Sequence, residues 1–288
     1  MYKIAGKKLL APNIYSIDIL APRVAKAALP GQFIIVIVDD KGERVPLTIC
    51  DTDKEKGTVN IVTQTMGTST KKLTDKEVGD SIKDFVGPLG KPSDFVNEDI
   101  EDLRKQTILL AGGGVGVAPL LPQAKWLKER GVDVHIVTGS KDKSLVILED
   151  EFRAITENVF IATDDGSYGF HGMVTHAIEE LVNRGNHYDR CVIIGPMIMM
   201  KFTAMTTKKL GIPTVVSMNP IMVDGTGMCG ACRVTVGGET KFACVDGPEF
   251  DGHLIDFDEA LRRQTQYRDE EIEMDHKHCE LTGGMLDE

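Results

Sequence analysis

This sequence has no excess of positive charge. Its 33 Lys and Arg face 44 Asp and Glu, a net charge of −11 over 288 residues. A chain of that sign gains no counterion-release energy from a phosphate backbone, which excludes nucleic acid and anionic membranes as main partners. A long hydrophobic run is also missing. The longest uncharged apolar stretch, 107–124, is broken by Gly112, Gly113, Gly114, Gly116, Pro119 and Pro122, whereas a membrane helix needs about 20 mostly apolar residues. The opening Met1-Tyr2-Lys3-Ile4-Ala5-Gly6-Lys7-Lys8 lacks the apolar core and cleavage pattern of a signal peptide. Repeats and low-complexity tracts are absent. These absences predict a soluble, cytoplasmic protein. The 42% hydrophobic content is ample for real cores, and the length suits about two domains of roughly 100–200 residues.

The rhythm of the chain changes near residue 100. Before it, Ile14–Ile19 alternates with period two, and Phe33–Val38 is a continuous β-branched run after Pro30-Gly31. Val45–Ile49 and Val59–Thr63 are further strand candidates, and Gly87-Pro88-Leu89-Gly90 reads as a closing turn. Short strands with regular turn signals predict a small antiparallel barrel. From Thr107 strands alternate with helices: strands at Thr107–Ala111, Val132–Thr138, Val159–Thr163, Cys191–Ile194 and Val215–Met218, helices at Leu120–Arg130, Val174–Asn183 and Ile198–Leu210. That alternation predicts a doubly wound parallel sheet covered on both faces. The fold class is therefore α/β plus all-β. A Gly-rich, Cys-bearing segment follows at about 221–247, with a hairpin over Arg233–Phe242. A charged tail of helical composition begins at Asp256.

Six cysteines are present, and Cys50 and Cys191 sit alone in apolar runs, where a buried inert thiol is the common case. The others form the sharpest motif: Asp224-x4-Cys229-x2-Cys232-x11-Cys244, with Cys279 far behind. Plant-type 2Fe-2S sites use Cys-x4-Cys-x2-Cys and a distant fourth Cys; here Asp224 stands where the first thiolate would be. Gly225, Gly227 and Gly230 suit a loop whose amides turn toward bridging sulfides. The other reading is a structural zinc site, with His276, His278 or Cys279 completing a set from Cys229, Cys232 and Cys244.

Residues 111–119, Ala-Gly-Gly-Gly-Val-Gly-Val-Ala-Pro, join a strand to a helix. Missing Cβ atoms at Gly113, Gly114 and Gly116 let a pyrophosphate approach, and the helix start offers free N–H groups. The run does not match Gly-x-Gly-x-x-Gly, and no acidic residue ends the second strand, where Gly139-Ser140 stand. A plain tight turn remains open for this run. Asp164-Asp165-Gly166 and Gly195-Pro196-Met197 follow the next strands, where doubly wound sheets bind ligands. For the two aspartates helix capping is the other reading. Arg44-Val45-Pro46-Leu47-Thr48 pairs an Arg with a hydroxyl on one barrel strand, for a diphosphate and a ring nitrogen or simply for solvent.

With these motifs in this order the chain resembles the ferredoxin–NADP reductase superfamily, and within it the iron–sulfur flavoprotein subunits, over residues 1 to about 255. The resemblance implies an FAD-binding barrel at 1–97, an NAD-binding domain at 98–220, a 2Fe-2S loop at 221–255 and a charged tail at 256–288. It implies FAD contacts from Arg44, Val45, Pro46, Leu47, Thr48, Asn60, Ile61, Val62, Gly67 and Thr68, with Thr48 near flavin N5. For NAD(H) it implies Gly113, Gly114, Val115, Gly116, Gly139, Ser140, Asp164, Asp165, Gly166, Gly195, Pro196, Met197 and Met199. The cluster ligands would be Asp224, Cys229, Cys232 and Cys244.

Two kinds of subunit are close: the electron-transfer subunit of NAD-linked dihydroorotate dehydrogenase, with four Cys ligands, and the small subunit of NADH-dependent ferredoxin:NADP oxidoreductases. The second resembles this chain in placing Asp at the first ligand position, which favours it. It implies a larger flavin and iron–sulfur partner subunit, ferredoxin reached through that partner, and electron bifurcation. Asp164 or Asp165 would repel a 2′-phosphate and favour NAD. No general acid or base is required. The tail is expected either to dock the partner or to be a solvated helix. Against all this stands a non-redox reading, a zinc-stabilised binding module.

Overall fold

The structure is a computed structural model that describes residues 1–273. The first module contains β1 (Tyr2–Ala11), β2 (Ile14–Leu20), α1 (Pro22–Ala27), β3 (Phe33–Ile37), β4 (Val45–Asp53), β5 (Thr58–Gln64), α2 (Thr68–Thr74), β6 (Ser81–Ile82) and β7 (Asp84–Leu89). Its seven strands form an antiparallel, nearly closed barrel in the order β6-β1-β2-β5-β4-β3-β7. The β-branched run of β3 is buried from Phe33 to Val36, as expected of a strand with protein on both faces. Ile17, Ile19, Ile34, Val59 and Ile61 fill the barrel core.

One expectation here is corrected. Gly87-Pro88-Leu89 is not a closing turn but the end of β7, which pairs with β3. Glycine serves there because a Cβ on Gly87 would lie 2.5 Å from the Ile34 side chain, so the local turn signal yields to packing.

The second module runs through α3 (Ile100–Leu103), β8 (Thr107–Gly113), α4 (Leu120–Glu129), β9 (Asp133–Ser140), α5 (Glu149–Ile155), β10 (Val159–Thr163), β11 (Phe170–His171), α6 (Val174–Asn183), β12 (Arg190–Ile194), α7 (Met197–Lys209) and β13 (Thr214–Ser217). It is followed by a hairpin, β14 (Arg233–Val236) and β15 (Glu239–Phe242), then β16 (Glu249–Asp251) and α8 (Phe257–Gln264). The sheet order is β11-β10-β9-β8-β12-β13-β16. All its pairs are parallel except β13 with β16. The Cys-bearing segment thus returns to the sheet rather than standing apart from it. The tail helix α8 buries Phe257 and Ala260 in the same core as α7, so its first turns are packed rather than solvated. Among the described residues no helix is long and apolar enough to cross a membrane.

The modules share a seam. Ala11, Ile14, Cys50 and Val62 of the barrel join the core that α4 forms against the parallel sheet. Lys125 on α4 bonds Asp51 on β4 at 2.5 Å across the seam, and within the second module Arg190 at the start of β12 grips Glu98 with two bonds, 2.7 and 3.0 Å.

Candidate functional site

The strand order reverses between β8 and β12, and the crevice beyond their carboxyl ends is where doubly wound sheets hold ligands. The structure brings four of the expected loops to that edge, at the ends of β8, β9, β10 and β12. The glycines do different jobs. A Cβ on Gly116 would lie 2.6 Å from Gly195 Cα and from the Ile194 carbonyl, so this pair lets two loops touch. Gly113 and Gly195 both back onto the Met199 sulfur, and Gly139 onto Val174. Gly114 alone of the run, at φ +55°, would point a Cβ into open space; it and Val115 form the open rim. Met197 is buried in the core of the sheet, so its side chain is not at the crevice, whereas Pro196 is exposed.

Asp164, Asp165 and Gly166 are exposed beyond β10. The Asp164 amide donates to the Ser140 carbonyl at 3.0 Å. Asp165 Oδ1 accepts from the Ser167 amide, and its bonds to Ser167 hold the carboxyl below its ordinary range.

On β4 the pleat puts Pro46 and Thr48 on one face, with Arg44 just before the strand, while Val45 and Leu47 pack on the barrel core. On β5 Ile61 is fully buried in that core, so only its backbone can face a ligand. Asn60 is engaged across the sheet, donating to Ser16 Oγ at 2.8 Å and Asp18 Oδ1 at 2.7 Å. Gly67 caps α2, and the Thr68 hydroxyl in its first turn is buried without a hydrogen-bond partner. A buried polar atom in that state needs a ligand or water, and an FAD phosphate fits it.

The cysteine loop lies against the barrel. Cys232 and Cys244 are buried with Phe33 and Ile35 of β3, Met222 and Ala243, their sulfurs 3.2 Å apart. Burial raises the Cys244 thiol well above its ordinary value, with the neighbouring Cys232 adding to it. The Cys244 amide points at the Cys232 sulfur, 3.4 Å away, and the Gly227 amide at Cys244. Cys229 is exposed, and the amides of Ala231 and Asp224 hold its thiol below the ordinary range. Gly225, at φ +81°, lets the loop lie on the barrel: a Cβ there would come 2.5 Å from Ile35 Cδ1. Asp224 closes its own turn. Its Oδ2 accepts from the Thr226 hydroxyl and amide and from the Met228 amide, which depresses its pKa.

Among the described residues no three His, Cys, Asp or Glu are gathered tightly enough to cage one metal ion. A two-iron cluster divides its ligands between two irons, and amides aimed at sulfurs are what such a cluster uses to set its potential. The loop fits that group. The zinc alternative rested on His276, His278 or Cys279, which lie outside the described residues.

Three contacts were invisible in the sequence. Arg44 sends Nε to the Val223 carbonyl at 2.6 Å and Nη2 to the Asp224 carbonyl at 3.0 Å. Arg263 on α8 donates to the Ala231 carbonyl at 3.1 Å. Glu249 on β16 accepts from Ser93 Oγ at 3.0 Å and from Gln123 Nε2 on α4 at 2.8 Å, and burial pushes its carboxyl up to about 7. Only the acidic residue inside Gly-Pro-Glu-Phe, amid apolar neighbours, hinted at the last.

A barrel, a switch-point crevice and a thiol loop on the barrel wall define a flavin-dependent electron-transfer reductase of the ferredoxin–NADP reductase class. The pattern of the iron–sulfur cluster binding domain of dihydroorotate dehydrogenase B matches residues 219–256. A Clostridium beijerinckii relative, named only as an uncharacterized protein in the adh 3′ region, is 58% identical over 99% of this chain and 98% of its own. A Thermotoga maritima protein, named as a homolog of the electron transfer subunit of dihydroorotate dehydrogenase B (NAD(+)), is 48% identical over 93% of this chain and 92% of its own. A solved chain from work on flavin-based electron bifurcation by NADH-dependent reduced ferredoxin–NADP oxidoreductase is 45% identical, with a TM-score of 0.89. The match covers 96% of this chain and 97% of that one. This chain belongs to the family of dihydroorotate dehydrogenase B-type electron-transfer subunits, oxidoreductase subunits that work with FAD, a 2Fe-2S cluster and NAD(H).

Proposed function

We propose that this chain moves hydride between NAD(H) and FAD and passes single electrons through a 2Fe-2S cluster to a larger flavin and iron–sulfur subunit. The observation that carries this is the shared wall: Phe33 and Ile35 of β3 bury the sulfurs of Cys232 and Cys244, and β3 pairs directly with the flavin strand β4, so barrel and cluster loop form one packed unit. Likeness to the 45%-identical solved chain supports placing it in an electron-bifurcating NADH-dependent ferredoxin:NADP oxidoreductase, with ferredoxin reached through the partner. An NAD-linked dihydroorotate dehydrogenase is the second setting, which the cluster-domain match and the Thermotoga maritima relative support.

Bound FAD supplies the exchange of two-electron hydride for single electrons. Everything else falls to this chain's residues. Arg44 and Thr68, with Gly67, hold the diphosphate end, and Thr48 offers a hydroxyl to the flavin ring. The rim at Gly114 and Val115 leaves the nucleotide room to approach, while Gly113, Gly116 and Gly195 keep the two loops closed behind it. Asp164 and Asp165 repel a 2′-phosphate. Cys229, Cys232 and Cys244 supply thiolates. Asp224 keeps Oδ1 for iron, since its turn bonds all use Oδ2.

The test is an anaerobic visible spectrum of the purified chain with iron, sulfide, zinc and flavin quantified. One FAD, with iron and sulfide near two per chain and bleaching by NADH, is the expected result. Zinc without flavin or iron, from cells supplied with iron, would overturn the redox reading and promote the zinc module.

A further inference from the structure

The Arg44 contacts carry a consequence for the cluster site. Arg44 stands just before the strand assigned to flavin, yet two of its donors are spent on a loop 180 residues away. The choice of carbonyl is informative. The Val223 carbonyl and the Asp224 amide are two ends of one peptide group. Arg44 Nε holds the oxygen end at 2.6 Å, and the N–H end belongs to Asp224, the first ligand position of the cluster motif. A cation bonded to a peptide oxygen polarises that peptide and strengthens what its N–H donates. Nη1 takes part in neither bond, so the same guanidinium can still offer donors to a diphosphate.

The far side of Cys229 is built alike. There the peptide that joins Gly230 to Ala231 has its oxygen held by Arg233 Nη1 at 3.3 Å.

We propose that Arg44 is a positioning residue for the 2Fe-2S cluster: its bonds to the Val223 and Asp224 carbonyls polarise the peptides at the first ligand position and fix a cation beside it, and so raise the cluster's reduction potential. The inference rests on the functional reading above. It makes a barrel side chain a control on the cluster, independent of whatever it does for flavin. Lysine cannot replace it fully, because an ammonium is a point charge without the planar fork that reaches two successive carbonyls.

The experiment uses the full chain purified anaerobically: native, Arg44→Gln and Arg44→Lys, each saturated with FAD. Iron per chain, the electron paramagnetic resonance spectrum of the reduced cluster and its midpoint potential are read. At unchanged iron content, Arg44→Gln is expected to move the potential to more negative values and shift the g-values, with Arg44→Lys in between. Native potential and g-values in both variants would overturn the proposal. So would the same shift in native protein stripped of FAD, since the effect would then pass through flavin. If Arg44→Gln fails to accumulate with iron, Arg44→Lys decides alone: a native signature overturns the proposal and a shifted one sustains it. A native chain that holds no iron and sulfide would instead overturn the functional reading, and does so before any variant is made.

Discussion

Gly114 and Gly116 stand two residues apart in one run and answer to different forces. At Gly116 an added Cβ meets the backbone of Gly195 and Ile194 at 2.6 Å, and neither loop can yield without opening the edge of the sheet. Gly116→Ala should therefore cost about 2–3 kcal/mol, as overpacking of a closed contact does, measured by denaturant unfolding. Gly114 faces open space, so Gly114→Ala should cost only about 1 kcal/mol, the strain of a positive φ. Gly114→Phe should raise KM for NADH at least tenfold with little further loss of stability. Equal effects of the two alanine variants on stability would refute the division. Asp224 offers a second residue-scale test. Asp224→Cys is expected to keep a cluster and shift its potential; an unchanged potential and spectrum would show that Asp224 is not a ligand.

At the scale of elements, periodicity was a good guide where one face was buried. The strand Val159–Thr163 and the helix Val174–Asn183 stand where alternation and the 3.6 period predict them, because Ala177, Ile178 and Leu181 pack on the sheet. Short elements escaped. The periodicity marks no helix at Thr68–Thr74 or at Glu149–Ile155, since seven residues give too few repeats to register. The proposed discrimination between nucleotides also belongs to a strand end. Asp164 and Asp165 cap β10 at the open edge, so Asp164→Asn with Asp165→Asn should lower KM for NADPH about tenfold while changing that for NADH little. An unaltered preference would move the discrimination to another loop.

The whole molecule meets at Glu249. Its carboxyl joins the barrel-side Ser93 and the sheet-side Gln123 to the strand that follows the cluster loop, and the Gln123 Oε1 beside it is buried with no partner. The folded carboxyl sits at about 7 against an ordinary 4.5 because it is buried. Between those values the folded chain keeps a proton that the unfolded chain has released. The contribution is thus whole below about pH 4.5 and is lost as pH rises through about 7. Glu249→Gln should remove that loss and offer Gln123 a donor. Relative to the native chain it should gain about 2 kcal/mol at pH 8, a value reduced for the part of the side chain that solvent still reaches, and little at pH 4.5. Equal differences in urea unfolding at the two pH values would contradict the assignment.

Composition, periodicity and motif spacing were enough to determine the class of fold, the change of rhythm near residue 100 and the Cys-x2-Cys loop, because each is written within a few turns of chain. The sequence by itself also placed the candidate loops at strand ends, since a parallel sheet sends alternate connections to one edge. Tertiary structure alone decided what those loops touch. That Arg44 reaches Val223, that Glu249 lies between Ser93 and Gln123, and that β16 closes the parallel sheet all join residues far apart in sequence. Such contacts depend on how two modules pack, and side-chain periodicity carries no record of it.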